Sequence, residues 1–373
     1  MSFHQYISPI EELIEDARNG RMFILVDAED RENEGDLVIP AQMCTPQAVN
    51  FMAKYGRGLI CLALTQERAN ALHIPMMTQA NAAPLQTAFT VSIEAKEGVS
   101  TGISAHDRAH TISVAIDPTK GPGDIVTPGH VFPLVARHGG ALVRAGHTEA
   151  AVDIPRLAGL YPAGVICEIM NDDGTMARLP DLVQFAQLHG LKIGTIADLI
   201  AYRRRYDHFV ERAVDTAFAS HHGGDWRMMV YINTLEYAEH IALVKGDITT
   251  PEPVLVRMHG LNIFSDLLGY KAYEEGVLEE SMNIIAGEGR GVVVILRQTR
   301  PTFVSDVLMR RMPEDLERRR VKEYGVGAQI LLDLGVKDMI LLTDTPEKKA
   351  VALEGYGLNI VGTHPIRPKR GGG

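Results

Sequence analysis

A chain of 373 residues with 47 acidic and 37 basic side chains carries a formal charge of −10 at pH 7, a sign that argues against a general nucleic-acid binder. Its length suits two domains, each with its own core, and it contains no apolar run of the roughly 18 residues that a membrane span needs. The three cysteines, Cys44, Cys61 and Cys167, are too few for a disulfide framework and too scattered for a C-x-x-C zinc site. Met1-Ser-Phe-His-Gln5 lacks the basic and apolar regions of a signal peptide. The expectation is a reduced, cytoplasmic protein that spans no membrane and binds no nucleic acid.

The first half alternates between helical and strand patterns. Ser8-Pro9-Ile10-Glu11 predicts a capping box with proline at the first helical position. Ile10, Leu13, Ile14 and Ala17 then share one helical face, and Gly20 stops the helix. The apolar run Met22 to Val26 predicts a buried strand. A second helix is expected from Thr45-Pro46 to Gly56, and a strand from Leu59 to Leu64. Met76 to Ala83 has no periodicity, whereas Phe89 to Ile93 alternates like a half-buried strand. A helix is expected over Ser104 to Ala115 and a Gly/Pro-rich loop over Gly121 to Pro133. Further strands are predicted at Ala141 to Val143 and Gly164 to Met170, then helices at Pro180 to His189 and Thr195 to Arg205. The run Arg203-Arg-Arg205 marks either a domain boundary or an arginine-rich helix end.

Asp27 to Asp36 follows the first strand directly, and six of its ten residues are carboxylates. Charges this dense repel one another. Such a loop is a solvated acidic turn or a seat for a hard divalent cation, and Arg31 inside it offers a contact for a phosphate or carboxylate. Arg144-Ala-Gly-His-Thr-Glu149 is the next polar stretch. There Gly146 permits close backbone approach, and His147-Thr148 is expected to open a helix whose free N–H groups favour an anion. His147 could be a metal ligand or a structural histidine. Glu168 interrupts an apolar strand, so it needs a partner and could act as an acid or base. In Thr127 to Pro133, two prolines mount His130 stiffly, which suits a catalytic group but also a merely exposed side chain.

Taken together these segments resemble the 3,4-dihydroxy-2-butanone 4-phosphate synthases of riboflavin biosynthesis. The resemblance covers roughly residues 6–203 and rests on Glu29-Asp-Arg-Glu-Asn-Glu-Gly-Asp36, Gly58-Leu-Ile-Cys61, Leu72 to Met77 and Gly98-Val-Ser-Thr-Gly102. It continues through Gly129-His-Val-Phe-Pro-Leu134, Gly146-His-Thr-Glu149 and Asn171-Asp-Asp-Gly-Thr-Met-Ala-Arg178. It implies conversion of ribulose 5-phosphate to formate and a four-carbon dihydroxyketone phosphate, with Mg²⁺ or Mn²⁺. It implies Glu32 and His147 as metal ligands and His130 and Glu168 as catalytic groups. Arg31, Glu32, Asp36, Glu168 and the run Arg144, Ala145, Gly146, His147 and Thr148 are implied as substrate contacts, the last run cradling the phosphate. It also implies a homodimer through this half, with each site lined partly by the neighbouring subunit.

From about Val210 the expected strands lengthen: Val214 to Ser220, Arg227 to Leu235, Ile241 to Lys245 and Val254 to His259. Arg290 to Gln298, a charged helix from Ser305, a helix from Gly325 to Leu334 and Lys337 to Thr343 follow. This half resembles GTP cyclohydrolase II in Val256-Arg-Met-His259, Tyr324-Gly-Val-Gly-Ala-Gln329, Pro346-Glu-Lys-Lys349 and Leu353-Glu-Gly-Tyr-Gly-Leu358. The positions of the family's three zinc cysteines hold Asn262, Tyr273 and Glu275, none of which replaces a thiolate. Gln298 to Val304 also departs from the family's catalytic run. The expectation is therefore an α+β, mixed α/β protein of two domains. Residues 1–205 form a synthase domain of mixed sheet and surrounding helices, and residues 210–373 a cyclohydrolase II-like domain without zinc or GTP chemistry. A bifunctional enzyme opening GTP at another metal site, and a non-catalytic scaffold or regulatory protein, are the competing readings.

Overall fold

The computed structural model describes residues 3–29, 31–78, 80–235, 237–270, 276–297, 302–309, 316–344 and 357–367. The chain divides into two compact units, Met1–Arg203 and Arg204–Gly373. Each is built on a seven-stranded mixed sheet.

The first unit opens with helix α1 (Ile10–Arg18), strands β1 (Phe23–Val26) and β2 (Gly35–Pro40), and helix α2 (Pro46–Phe51). Strand β3 (Cys61–Leu64), helix α3 (Gln66–Ala71), strand β4 (Ile93–Ala95) and helix α4 (Ala105–Ile116) come next. Strand β5 (Ile125–Val135), helix α5 (His147–Leu157), strand β6 (Gly164–Glu168), helix α6 (Leu179–His189), strand β7 (Ile193–Thr195) and helix α7 (Ile196–Tyr206) complete it. The strand order is β4-β5-β3-β6-β2-β1-β7.

Strand side chains alternate between faces, and here both faces are covered. Leu37, Ile39, Leu62, Leu64 and Val165 pack under α2, α4 and α6. Phe23, Leu25, Val38, Cys61 and Ile166 pack under α1, α5 and α7. Each of these buried aliphatic or aromatic side chains contributes about 1.5–3 kcal/mol relative to exposure. Two-sided burial also fixes register, because a one-residue slip would exchange the faces.

Several expectations are corrected. Ser8 does not cap α1; Pro9 holds the cap position without a side-chain bond, because the Ser8 amide donates to Ile193 O at the sheet edge (2.7 Å). Gly121 to Pro133 is not a loop: Ile125 to Val135 forms β5, between β4 and β3. Its prolines lack donors, but the Pro133 carbonyl accepts from the Thr90 amide and hydroxyl, both at 3.0 Å. Ala141 to Val143 is no strand; Gly140–Leu142 is a 3₁₀ turn, and Asp153 accepts from the Ala141 amide at 2.7 Å. Three apolar residues carry too little periodicity to separate those states.

The second unit contains β8 (Val210–Ser220), β9 (Gly224–Asn233), β10 (Ala238–Lys245), β11 (Val254–Gly260) and α8 (Ile263–Asp266). Helix α9 (Val277–Glu288), β12 (Gly291–Leu296), α10 (Phe303–Leu308), α11 (Leu316–Asp333), β13 (Asp338–Leu342) and β14 (Asn359–His364) follow. Strands β8, β9, β10 and β12 run antiparallel in succession, and β12, β11, β13 and β14 run parallel. Trp226, Leu243, Val293 and Ile295 pack with Met282 and Ile285 of α9. Tyr273, Glu275, Gln298 to Pro301, Pro346 to Lys349 and Leu353 to Tyr356 lie outside the described residues.

One buried group links this sheet to pH. His240 on β10 accepts from the Arg297 amide through Nδ1 (3.1 Å), while its buried Nε2 has no partner among the described residues. Burial, then the charge of Arg297, pushes its pKa down to about 4. The unfolded chain therefore binds this proton more readily than the folded one between about pH 6.5 and pH 4. That contribution is intact above pH 6.5 and is lost as pH falls toward 4, by up to about 3 kcal/mol. Denaturation of the full chain at stepped pH should show this loss, and His240→Gln should flatten it; equal pH slopes in both proteins would refute the assignment.

Candidate active site and cation centre

The acidic loop is a folded object, and Asp27 organises it. One carboxylate oxygen, Oδ2, accepts from Arg31 Nη1 (2.7 Å) and the Glu32 amide (3.1 Å), and Oδ1 accepts from the Glu34 amide (2.9 Å). Asn33 takes a left-handed φ of 55°, which lets the loop double back into β2. Arg178 donates to the carbonyls of Glu32, at 2.8 Å, and Asn33. The Arg31 guanidinium also reaches Glu32 Oε2 at 2.7 Å. Asp30 lies outside the described residues.

His147, the first residue of α5, is buried where this loop returns. Its Nε2 lies 3.2 Å from the Leu25 carbonyl on β1. A carbonyl only accepts, so Nε2 carries hydrogen, and in the neutral ring Nδ1 presents a lone pair. That Nδ1 faces Glu32 Oε2 at 3.5 Å. Ligand atoms of Asp27, Glu32 and His147 all lie within 4.8 Å of one another. Two carboxylates and one imidazole with a fixed tautomer fit a hard divalent cation.

Asp36 and Glu168 complete the cluster through sheet register. They are direct partners on β2 and β6, so both side chains leave the same face of the sheet. Asp36 Oδ1 lies 3.9 Å from His147 Nε2. Glu168 Oε2 accepts from the Leu59 amide (2.8 Å). Gly58 makes that approach possible: a Cβ there would sit 2.5 Å from both the Glu168 carbonyl oxygen and its Oε2.

Electrostatics follow from this crowding. Burial first, against the pull of His147, pushes Asp36 up to about 7. Burial and then Glu32 raise Glu34. The His147 contact, ahead of Arg31, outweighs burial and holds Glu32 below the ordinary carboxylate value. For His147 burial opposes the imidazolium, but Asp36, Glu32 and Asp27 together prevail and lift it to about 9. The cluster thus demands positive charge, which a cation bound to the imidazole would supply while displacing its proton.

The remaining expected residues are placed differently. Arg144 is half-buried and already engaged: Nη1 reaches Glu149 Oε2 at 2.6 Å, and Nη2 donates to Leu85 O (3.1 Å) and Thr87 Oγ1 (3.3 Å). Gly146 caps α5, Ala145 is exposed, and Thr148 is buried in the first turn. His130 sits on β5, two residues before Phe132, the partner of Cys61 on β3. Its Nδ1 bonds Glu94 Oε2 at 2.6 Å. Sequence reasoning did not single out Glu94, Asp27 or Glu149. A carboxylate immediately after the apolar Phe89 to Ile93 run was the available signal for Glu94.

Known proteins match this chain along most of its length. Residues 11–202 match the 3,4-dihydroxy-2-butanone 4-phosphate synthase family and residues 211–365 the GTP cyclohydrolase II family. The riboflavin biosynthesis protein RibBA of Aquifex aeolicus is 50% identical over 375 residues, covering 96% of this chain and 92% of that one. A 3,4-dihydroxy-2-butanone 4-phosphate synthase of Pseudomonas syringae pv. tomato is 47% identical over 368 residues, covering 96% and 98%. Among solved structures, the two-domain synthase RibBX of A. baumannii aligns with a TM-score of 0.73 at 43% identity, covering 96% of this chain and 99% of that one. A 3,4-dihydroxy-2-butanone 4-phosphate synthase in complex with two magnesium ions aligns with a TM-score of 0.52 at 42% identity, covering 54% and 99%.

Proposed function

Because the chain belongs to the 3,4-dihydroxy-2-butanone 4-phosphate synthase family, fused to a domain of the GTP cyclohydrolase II family, we propose that it is the riboflavin-pathway lyase that turns ribulose 5-phosphate into 3,4-dihydroxy-2-butanone 4-phosphate and formate in the cytoplasm. The observation that carries this reading is the Asp27, Glu32 and His147 cluster, with Asp36 beside the Nε2 edge of the same imidazole. Glu32 and His147 would hold Mg²⁺ or Mn²⁺ there, with Asp27 setting the loop. When bound, such an ion supplies Lewis acidity toward the sugar's carbonyl and neighbouring hydroxyl.

The reaction requires proton removal beside a carbonyl, loss of a hydroxyl, a carbon-skeleton shift and expulsion of formate. We assign the taking and returning of protons to Glu168 on β6 and His130 on β5. Each such transfer is typically worth about 10²–10⁴-fold. Arg31 and Asp36 would hold the hydroxylated end. The N–H groups opening α5, from Gly146 to Thr148, favour the phosphate. Arg144 then acts by shaping that turn, since its guanidinium is committed to Glu149.

EDTA should abolish formate release from ribulose 5-phosphate, and Mg²⁺ should restore it. Glu32→Gln and His147→Ala should each remain folded and lose about 10³-fold in turnover. Full turnover in EDTA would end this reading.

The proposal extends to the second unit, which we read as a fold kept without its ancestral zinc chemistry. Residues 168–373 contain no cysteine, and the Asn262 side chain accepts from the Phe264 amide to cap α8 (3.0 Å). Metal analysis of the purified chain should find no zinc, and GTP should release neither formate nor pyrophosphate. Stoichiometric zinc with GTP turnover that survives Glu32→Gln would make the protein bifunctional. The assembly we propose is a homodimer through the first unit; light scattering of an active monomer would refute it.

A further inference from the structure

We propose that Glu94, anchored by Thr111, is a positioning residue that dictates which ring nitrogen of His130 meets the substrate. The inference rests on the reading of His130 as a proton-handling group. It starts from hydrogen counting. The Thr111 hydroxyl accepts from the Ala95 amide at 3.0 Å and lies 3.0 Å from Glu94 Oε1. Having one hydrogen, it donates that hydrogen to Oε1. Glu94 is thereby an acceptor at one oxygen, and as a carboxylate it accepts at the other. Its Oε2 lies 2.6 Å from His130 Nδ1, so Nδ1 carries hydrogen. In the neutral ring Nε2 is then the nitrogen with the free lone pair.

The surroundings keep this arrangement one-sided. The Glu94 side chain is 10% exposed, whereas that of His130 is 43% exposed. The bond is shielded and the far edge of the ring is open. Gly102 closes over the bond with φ +84°; a Cβ there would lie 2.0 Å from Glu94 Oε2 and 2.5 Å from His130 Nδ1. The loop carrying Gly102 is itself pinned, since Asp107 accepts from the Ser100 amide (3.2 Å), the Ser100 hydroxyl (2.8 Å) and the Gly102 amide (3.0 Å). Asp107 is thus spent on the loop, and Glu94 is the carboxylate left to the imidazole. A carboxylate that orients an imidazole and selects its tautomer acts strongly on turnover without touching substrate.

The full-length enzyme provides the test. Glu94→Gln should lower kcat about 10²-fold or more while KM for ribulose 5-phosphate stays within about three-fold. Thr111→Val should lower kcat about ten-fold, and Thr111→Ser, which keeps the hydroxyl, should restore it. Nitrogen-15 imidazole correlation spectra, with His130→Asn to assign the signal, should show the Nδ1–H form of His130 in the native enzyme and its loss in Glu94→Gln. Native turnover in Glu94→Gln, or an Nε2–H form in the native enzyme, would overturn the proposal. If Glu94→Gln melts early, the threonine pair decides, and equal kcat for valine and serine overturns it. His130→Asn with native turnover would instead sink the reading of His130, leaving the tautomer to the spectrum.

Discussion

Carboxylate repulsion around one buried imidazole is the constraint on which this molecule's first unit depends. Asp27 and Glu32 come from the loop after β1, Asp36 from β2 and Glu168 from β6, and His147 is placed beside Glu32 and Asp36 by α5. Two like charges at roughly 5 Å and an effective dielectric near 20 repel by about 3 kcal/mol. Such a cluster persists only where a rigid scaffold holds it and positive charge offsets it. The scaffold is the twice-covered sheet, with Leu37 and Val38 buried on opposite faces of β2. The offset comes from Arg31, from the raised pKa of His147, and from any cation that replaces its proton.

Backbone chemistry supports the same point. Arg178 binds two loop carbonyls, so it fixes loop shape, and its charge also favours the Glu34 carboxylate. Asp27 spends both oxygens on loop donors. Glu32 is the carboxylate left facing His147 Nδ1. The division between residues that build the loop and residues that face its centre is thus visible in who bonds to whom.

Much of this was legible in the residues. A periodic apolar face located α1 and an unbroken apolar run located β1, because each leaves a strong pattern. The acidic decapeptide and the Gly146-His-Thr148 turn stood out as polar stretches that a core would reject, and the resemblance to the synthase family singled out Glu32 within the first. Partnerships were not legible. Nothing in the order of residues places Glu94 against His130, 36 positions away, or pairs Asp36 with Glu168 across two strands. Strand β5 was missed because Pro128, Gly129 and Pro133 imitate loop composition, although the Pro133 carbonyl accepts from Thr90 and the Gly129 amide donates to the Ser92 hydroxyl. Arg144 pairs with Glu149, a buried carboxylate that local sequence gave no reason to weigh.

The account's central claim is that His147 Nδ1 and Glu32 share one divalent cation. Pulsed electron paramagnetic resonance on the Mn²⁺-loaded enzyme tests this directly, because a coordinated imidazole nitrogen couples to the electron spin. The account predicts a single histidine nitrogen coupling that disappears in His147→Ala. Tightly bound Mn²⁺ with no nitrogen coupling, or with a coupling that survives His147→Ala, would contradict it.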